Sequence, residues 1–252
     1  MKIAVVTGAS SGMGREFAIR LAKTEGLDEL WVIARRLDRL EALQNDVPIK
    51  VRPIALDLTE EASVEAYRAL LEQEKPDVRI LVNASGFGKF GAFTETDRDV
   101  MMKMIDLNVK AYVWVTYLTL PYMSAGGQIY QLDSLSSFQP VPYIGVYGAT
   151  KAFVLSFSRA LNVELKARRI RVMAVCPGWV KTEFFNHAVT DDTIKYYNKF
   201  FTSEQVVTRA LRDMKKKKDV SVCGASIRAQ VFFTKLLPHR LVMWIWCKQQ
   251  KK

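Results

Sequence analysis

Lys2-Ile3-Ala4-Val5-Val6-Thr7-Gly8-Ala9-Ser10-Ser11-Gly12-Met13-Gly14 reads as a buried strand running straight into a glycine-rich turn. The run at residues 2–7 is apolar, β-branched and short enough for a strand. Phe17, Ile19, Leu21 and Ala22 then follow at helical rhythm. Strand, glycine turn and helix together give the glycines meaning. They let the backbone turn tightly and approach a pyrophosphate, whose charge the helix N-terminus stabilises. The spacing here is Gly-x-x-x-Gly-x-Gly rather than Gly-x-Gly-x-x-Gly.

Outward from this turn the same alternation repeats. Leu30-Trp31-Val32-Ile33-Ala34 is a second strand and ends in Arg35-Arg36. In a dinucleotide fold the end of the second strand meets the adenosine ribose, where an acid would bind the 2′-hydroxyl of NAD. Two guanidinium groups suit a 2′-phosphate instead and favour NADP, unless they merely cap a strand end at the surface. Leu37, Leu40 and Leu43 form a helical stripe. Residues 51–56 read as a third strand ending at Asp57-Leu58-Thr59. A helix starting near Thr59-Glu60-Glu61 has Val64, Tyr67, Leu70 and Leu71 as its apolar face. A fourth strand, Val78 to Val82, leads into Asn83-Ala84-Ser85-Gly86. This rhythm predicts an α/β fold: a doubly wound parallel sheet of about seven strands with helices on both faces.

Residues 97–124 read as helical, with Asn108 in an apolar setting, where a buried amide must find partners. A fifth strand, Gln128 to Asp133, ends at Ser134, and ligands of open α/β sheets bind at strand carboxyl ends. The helix expected over 146–168 carries Tyr147 and Lys151, one turn apart on one face. An ammonium close to a phenol favours the phenolate, so such a tyrosine can exchange a proton near neutral pH. A sixth strand, residues 170–175, leads into Cys176-Pro177-Gly178-Trp179-Val180-Lys181-Thr182.

The final quarter is less regular. Residues 183–202 carry Phe184, Phe185, Tyr196, Tyr197, Phe200 and Phe201, which suits a lid over an apolar substrate or ordinary packing alike. A helix start at Ser203-Glu204 and a last strand over 220–224 follow. The apolar run Val231 to Cys247 is broken by Lys235, Pro238, His239 and Arg240, too short and interrupted to span a bilayer. It is open to three readings: an amphipathic surface anchor, a dimer element or part of a substrate lid. From residue 205 onward twelve cations face two acids, so most of the net charge of +11 lies there. A solvated lysine-rich end is the favoured reading, over attraction to phosphates, anionic lipid or nucleic acid.

Apolar content of 49% and charged content of 25% over 252 residues fit one globular domain, residues 1–252, with 183–252 as lid and tail. No secretory leader is expected at Met1-Lys2-Ile3. Three widely spaced cysteines suit a reducing compartment, hence a cytoplasmic protein with peripheral membrane contact left open. Two distant histidines, without other ligands at metal-binding spacing, point to no metal.

Taken in order, the Thr7-to-Gly14 turn, Asp57, Asn83-Ala84-x-Gly86, Asn108, Ser134, Tyr147 with Lys151, and Pro177-Gly178 with Thr182 resemble the short-chain dehydrogenase/reductase family, in its single-domain branch. The resemblance covers about residues 1–185. It departs at Ser85, inserted in what is commonly Asn-Ala-Gly, and at Asp133, where the family often has an uncharged residue. It implies an NADP(H)-dependent oxidoreductase interconverting an alcohol and a ketone. Tyr147 would be the general acid/base. Lys151 would tune it and hold the nicotinamide ribose. Ser134 would bind the substrate oxygen, and Asn108 a water in the proton relay. For the cofactor it implies Gly8, Ser10, Ser11, Gly12, Met13, Gly14, Arg35, Arg36, Asp57, Leu58, Asn83, Ala84, Pro177, Gly178, Val180 and Thr182, along with Tyr147 and Lys151. For the substrate it implies Ser134, Tyr147, Trp179, Phe184 and Phe185. A homo-oligomer, dimer or tetramer, is expected through the helices at 97–124 and 146–168. The aromatic segment and apolar tail point to a bulky substrate, a steroid or bile acid first. A 3-oxoacyl or small polar carbonyl is the alternative. A different class of reading, a non-catalytic NADP sensor acting through its basic tail, has no use for a proton relay.

Overall fold

The computed structural model describes residues 1–23, 26–189 and 193–252. β1 (Lys2–Thr7) enters α1 (Gly12–Leu21), and the rhythm repeats through β2 (Glu29–Ala34), α2 (Leu37–Glu41), β3 (Lys50–Ala55), α3 (Glu61–Glu74) and β4 (Asp77–Asn83). The second half runs α4 (Arg98–Ile105), α5 (Ala111–Thr119), β5 (Gln128–Leu132), α6 (Gly145–Glu164), β6 (Arg171–Val175), β7 (Trp179–Val180) and α7 (Phe185–Ala188). It closes with β8 (Phe200–Phe201), α8 (Ser203–Lys215), β9 (Val220–Ser221), α9 (Ala225–Leu236) and α10 (His239–Gln249).

Seven of these strands pair in parallel as one sheet, in the order β3-β2-β1-β4-β5-β6-β9. Side chains of β1 alternate between its two faces, as a strand's period of two requires. Ala4 and Val6 pack with Phe17 and Leu21 of α1 and Val206 and Ala210 of α8. Ile3 and Val5 pack with Tyr67 and Leu71 of α3, Val115 of α5 and Leu161 of α6. Full burial of each large side chain among these contributes ~1.5–3 kcal/mol before the entropy of ordering is counted. A sheet covered on both faces explains why its strands read as continuous apolar runs.

The chain leaves β1 in opposite directions: to β2 and β3 on one side, to β4, β5 and β6 on the other. Such a reversal opens a crevice at the strands' carboxyl ends. Gly8, Ala84 and Ser134 all stand at that end.

Three expectations shift. The 97–124 helix becomes α4 and α5 joined by a π-helical turn, Asp106–Lys110, centred on Asn108. The wider turn accommodates an asparagine whose amide faces inward to other backbone. The 146–168 helix ends at Glu164, ahead of a turn in which Arg169 adopts a positive φ of 56°. The last strand shortens to two residues, because Gly224 (φ 88°) turns the chain into α9.

In the aromatic segment, β7 pairs with β8 and α7 lies between them, while residues 190–192 of that expected lid lie outside the described residues. Among the described residues no helix is long and apolar enough to cross a membrane.

Candidate active site

α6 places Tyr147 and Lys151 one turn apart, both buried and both facing the end of β5. Lys151 Nζ donates to the Leu132 carbonyl at 2.8 Å. The same carbonyl accepts the Tyr112 hydroxyl at 3.0 Å, and the Tyr112 ring lies 5.3 Å from the ammonium. The first residue pair beyond β5, Asp133-Ser134, turns into a short 3₁₀ turn, Leu135–Phe138, with Ser134 Oγ accepting from the Ser136 N–H at 3.2 Å. This turn brings the Ser134 hydroxyl toward the Tyr147 phenol, where it favours the ionised form. Serine, tyrosine and lysine thus converge from two elements on one point.

The electrostatics differ from the sequence expectation. Burial raises the Tyr147 phenol, the Asp133 charge raises it further, and only the Ser134 hydroxyl opposes them. Lys151 sits 5.8 Å from the phenol ring centre and is not among the causes that lower it. Its charge is engaged elsewhere. Burial pulls the Lys151 ammonium down and pushes the Asp133 carboxyl up, and each partly restores the other's charged form. Asp133 Oδ2 accepts the Cys176 thiol at 3.1 Å, while Oδ1 has no partner among the described residues.

The side chain of Asn108, expected to hold a relay water, is bonded to protein groups. Its Oδ1 accepts the Phe87 N–H at 3.1 Å, and its Nδ2 donates to the Phe87 carbonyl (2.9 Å) and to Thr150 Oγ1 (3.2 Å). These bonds tie the loop after β4 to α6. That loop passes so close that a Cβ on Gly86 would lie 2.9 Å from Asn108 Oδ1 and 3.6 Å from Lys151 Nζ. The inserted Ser85 is accommodated because Thr7 Oγ1 accepts both the Ala84 and Ser85 N–H groups, at 3.0 and 3.1 Å.

Across the crevice lies the glycine turn. Gly8 and Gly12 have φ of 66° and 54°, and a Cβ on Gly8 would stand 2.6 Å from the Ala84 carbonyl oxygen. α1 begins after Ser11 with no side-chain cap and no acid in its first turn. Its first N–H groups are therefore available to an anion. Arg36 donates to Ser10 Oγ at 3.0 Å and to Glu183 at 2.8 Å. Arg35 is mostly exposed and lies 3.7 Å from Asp57. Glycine turn, uncapped helix start and paired arginines fit a dinucleotide carrying a 2′-phosphate.

One cavity of about 1210 Å³ joins these parts. Ser134, Tyr147 and Lys151 line it, as do Gly8, Ser10, Ser11, Gly12, Met13, Gly14, Arg35, Arg36, Asp57, Leu58 and Ala84. Pro177, Gly178, Trp179, Val180, Thr182, Phe184 and Phe185 complete the expected set. Asn108 and Asn83 stand behind the lining. Asn83 was expected at the adenine ribose, but its amide is buried and donates to Thr116 and Gln131, both at 3.0 Å.

Residues 2–193 match the family described as short chain dehydrogenase. The chain belongs to that family. Over 185 residues this short-chain dehydrogenase is 38% identical to a sulfoacetaldehyde reductase of Chromohalobacter salexigens, covering 71% of this chain and 72% of that one. A short-chain dehydrogenase from Sphingobium yanoikuyae, solved in complex with NADPH, superposes with a TM-score of 0.78 at 30% identity, covering 88% and 87% of the two chains. A bulky-bulky ketone specific alcohol dehydrogenase from Comamonas testosteroni superposes with a TM-score of 0.75 at 25% identity, covering 94% and 92%.

Several lining residues of this short-chain dehydrogenase escaped the sequence reading. Phe90 packs 5.6 Å from the Tyr147 ring, and its signal was the aromatic–glycine alternation Phe87-Gly88-Lys89-Phe90-Gly91. Val242 and Trp246 reach the cavity from α10, and their i, i+4 spacing was the available clue. Glu183 bridges Arg36 and Arg39 across the crevice, a charge pairing that no local pattern announces.

Proposed function

We propose that this short-chain dehydrogenase is an NADP(H)-dependent reductase of an aliphatic or small polar carbonyl compound, running between ketone or aldehyde and alcohol. The observation that carries the reading is the convergence of Ser134, Tyr147 and Lys151 on the wall of the cavity that the glycine turn also lines. Bound NADP(H) supplies the hydride. Gly8 to Gly14 would take the pyrophosphate, Ser10, Arg35 and Arg36 the 2′-phosphate, and Val180 and Thr182 the nicotinamide end. Ser134 would hold the substrate oxygen, and Tyr147 would give it a proton. Burial keeps the phenol protonated at neutral pH, which supports the reductive direction. Lys151, buried beside Asp133, would hold the ribose hydroxyls and replace the proton.

A curated relative at 38% identity is a sulfoacetaldehyde reductase, which favours the small-carbonyl reading over a steroid or bile acid. A second reading, a bulky ketone, is supported by the ring shell of Phe90, Trp179, Phe184 and Phe185 around Tyr147, and by the Comamonas likeness. A homo-oligomer through α5 and α6 fits the exposed Tyr117 and Val163.

The deciding experiment follows NADPH oxidation with sulfoacetaldehyde, a 3-oxoacyl thioester, bulky aryl ketones and a steroid ketone. Tyr147→Phe is expected to lower turnover about 10²–10⁴-fold, the usual worth of a positioned proton donor, with NADPH binding retained. Unchanged turnover would sink the mechanism, and turnover restricted to the steroid would reverse the substrate order.

A further inference from the structure

The last two helices show two different faces. Inward, Ile227, Val231 and Thr234 of α9 and Val242 and Trp246 of α10 pack on the body or line the cavity. Trp246 Nε1 donates to the Pro142 carbonyl at 3.0 Å. Gln250, fully buried, accepts the N–H groups of Lys195 and Tyr196 at 2.8 and 3.0 Å. The end of α10 is therefore fixed to the lid, and its outer face is held outward.

That outer face is apolar. Phe232, Phe233 and Leu236 of α9 are 60–65% exposed, and Leu241, Trp244 and Ile245 of α10 are 42%, 58% and 36% exposed. Their spacing puts each set on one helical face, and Leu237-Pro238 joins the two sets. Exposed apolar faces on two successive helices mark an interaction site. Cations border it. Residues 220–252 hold Arg228, Lys235, Arg240, Lys248, Lys251 and Lys252 and no acid. Lys248 lies 5.0 Å over the Trp244 ring, the arrangement of a lysine whose stem follows apolar surface while its charge stays outside.

We propose that the α9–α10 hairpin docks the enzyme on an anionic lipid surface. Aromatic and leucine side chains on one face with lysine and arginine at the margins match a helix lying in a membrane interface. The charge decides against the obvious competitor, a second copy of this chain. A two-fold contact brings a patch onto itself, so the cationic excess of residues 220–252 would face its own copy with no acid in that stretch to offset it. An anionic bilayer offers both complements at once, apolar depth and negative charge. Phe233, Leu237 and Ile245 belong to the exposed face and also to the cavity lining, so docking brings the cavity mouth to the lipid. The surface stands whichever carbonyl the site reduces.

The test is co-sedimentation of the full chain with phosphatidylcholine vesicles, with and without phosphatidylglycerol, at low and high salt. Phe232, Leu236 and Trp244 do not line the cavity. Their combined serine variant, Phe232→Ser/Leu236→Ser/Trp244→Ser, and the charge variant Lys248→Glu/Lys251→Glu/Lys252→Glu should each lose about tenfold or more in binding to anionic vesicles. Both should keep NADPH binding and their thermal melt, readouts that do not depend on the substrate being right. Wild-type protein staying in the supernatant with anionic vesicles at low salt overturns the proposal. So does equal binding by the serine variant, which would reduce the surface to a general polyanion site. A dimer that the serine variant splits into monomers by light scattering, without vesicle binding by the wild type, assigns the face to a second copy instead.

Discussion

The floor and the roof of the cavity are closed by different means. The floor closes backbone on backbone: Gly8 against the Ala84 carbonyl, and Gly14 against the Gly8 carbonyl. The roof closes ring on ring, with Trp179 4.9 Å from Tyr197, Phe185 5.6 Å from Phe200 and Phe184 5.7 Å from Tyr147. Where two backbones touch, one residue type fits. Where rings pile together, volume and apolarity matter more than the identity at any one place. The floor should therefore break at a single methyl group, and the roof should bend.

Gly8→Ala tests the first half. Its Cβ would meet the Ala84 carbonyl oxygen at 2.6 Å, from a φ of 66° that L residues rarely adopt. Overpacking of this sort costs about 1–3 kcal/mol, and the positive φ adds to it. The expected outcome is a lower melting temperature and loss of NADPH binding by roughly 100-fold or more in fluorescence titration, since about 3 kcal/mol corresponds to that ratio. Near-normal affinity would show that the turn has slack. Phe184→Ala tests the second half. The ring borders Tyr147 and Phe90, but Trp179, Phe185 and Tyr197 remain around the gap. Removing it should raise KM for the best carbonyl about tenfold, within the range that apolar pocket contacts command, and leave NADPH affinity unchanged. An equal loss of both would mean that the roof also supports the floor.

The same contrast explains what the sequence made legible. Gly8, Gly12 and Gly14 could be read because a close approach leaves glycine as the sole choice. Tyr147, Lys151 and Ser134 could be read because their chemistry fixes their spacing on a helix and at a strand end. The parallel sheet followed from unbroken apolar runs. An amide's type does not say which way it faces, and the Asn83 side chain, expected at the cofactor, is claimed from within by Thr116 and Gln131. Asn108 was placed correctly as buried, but its partner Phe87 is backbone, and no side-chain pattern encodes that. The roof was legible as aromatic density only. Which ring touches which depends on β7 pairing with β8, two residues each, below the length at which periodicity speaks.

Asp133 lies where floor, roof and proton path meet. Its carboxylate supports the Lys151 ammonium, which burial otherwise weakens. In Asp133→Ser that support is gone, so Lys151 should lose its proton at lower pH. Tyr147, Tyr112 and Cys176 also face this carboxyl, and its charge raises each of them, so its removal lowers them together with the lysine. The alkaline limb of kcat/KM for NADPH-driven reduction should move down by about one pH unit, the low end of what a neighbouring opposite charge does. An unmoved limb would mean that the carboxyl is protonated beside Lys151 and contributes packing alone.

The smallest expected effect concerns the one polar tie between roof and floor among the described residues that line the arginine end. Glu183 follows Thr182 in the roof and accepts from Arg36 and Arg39 across the crevice. Arg36 also holds Ser10, so the carboxylate occupies the arginine that a 2′-phosphate would use. The two arginines hold the Glu183 carboxyl down at about 2. A depressed carboxyl pKa means that the tie is intact above the ordinary carboxylate range and is lost only as pH falls through that low value. Neutral pH does not open it, so a phosphate must compete for it. Glu183→Gln removes the competing charge and leaves the shape. Both partners are near half exposed, so the gain is that of a screened surface pair, roughly two- to fivefold in NADPH affinity. NADH, lacking the phosphate, should bind the variant and the wild type alike. Tighter NADPH binding with unchanged NADH marks Glu183 as a stand-in for the phosphate. Weaker NADPH binding would instead make it the residue that positions Arg36.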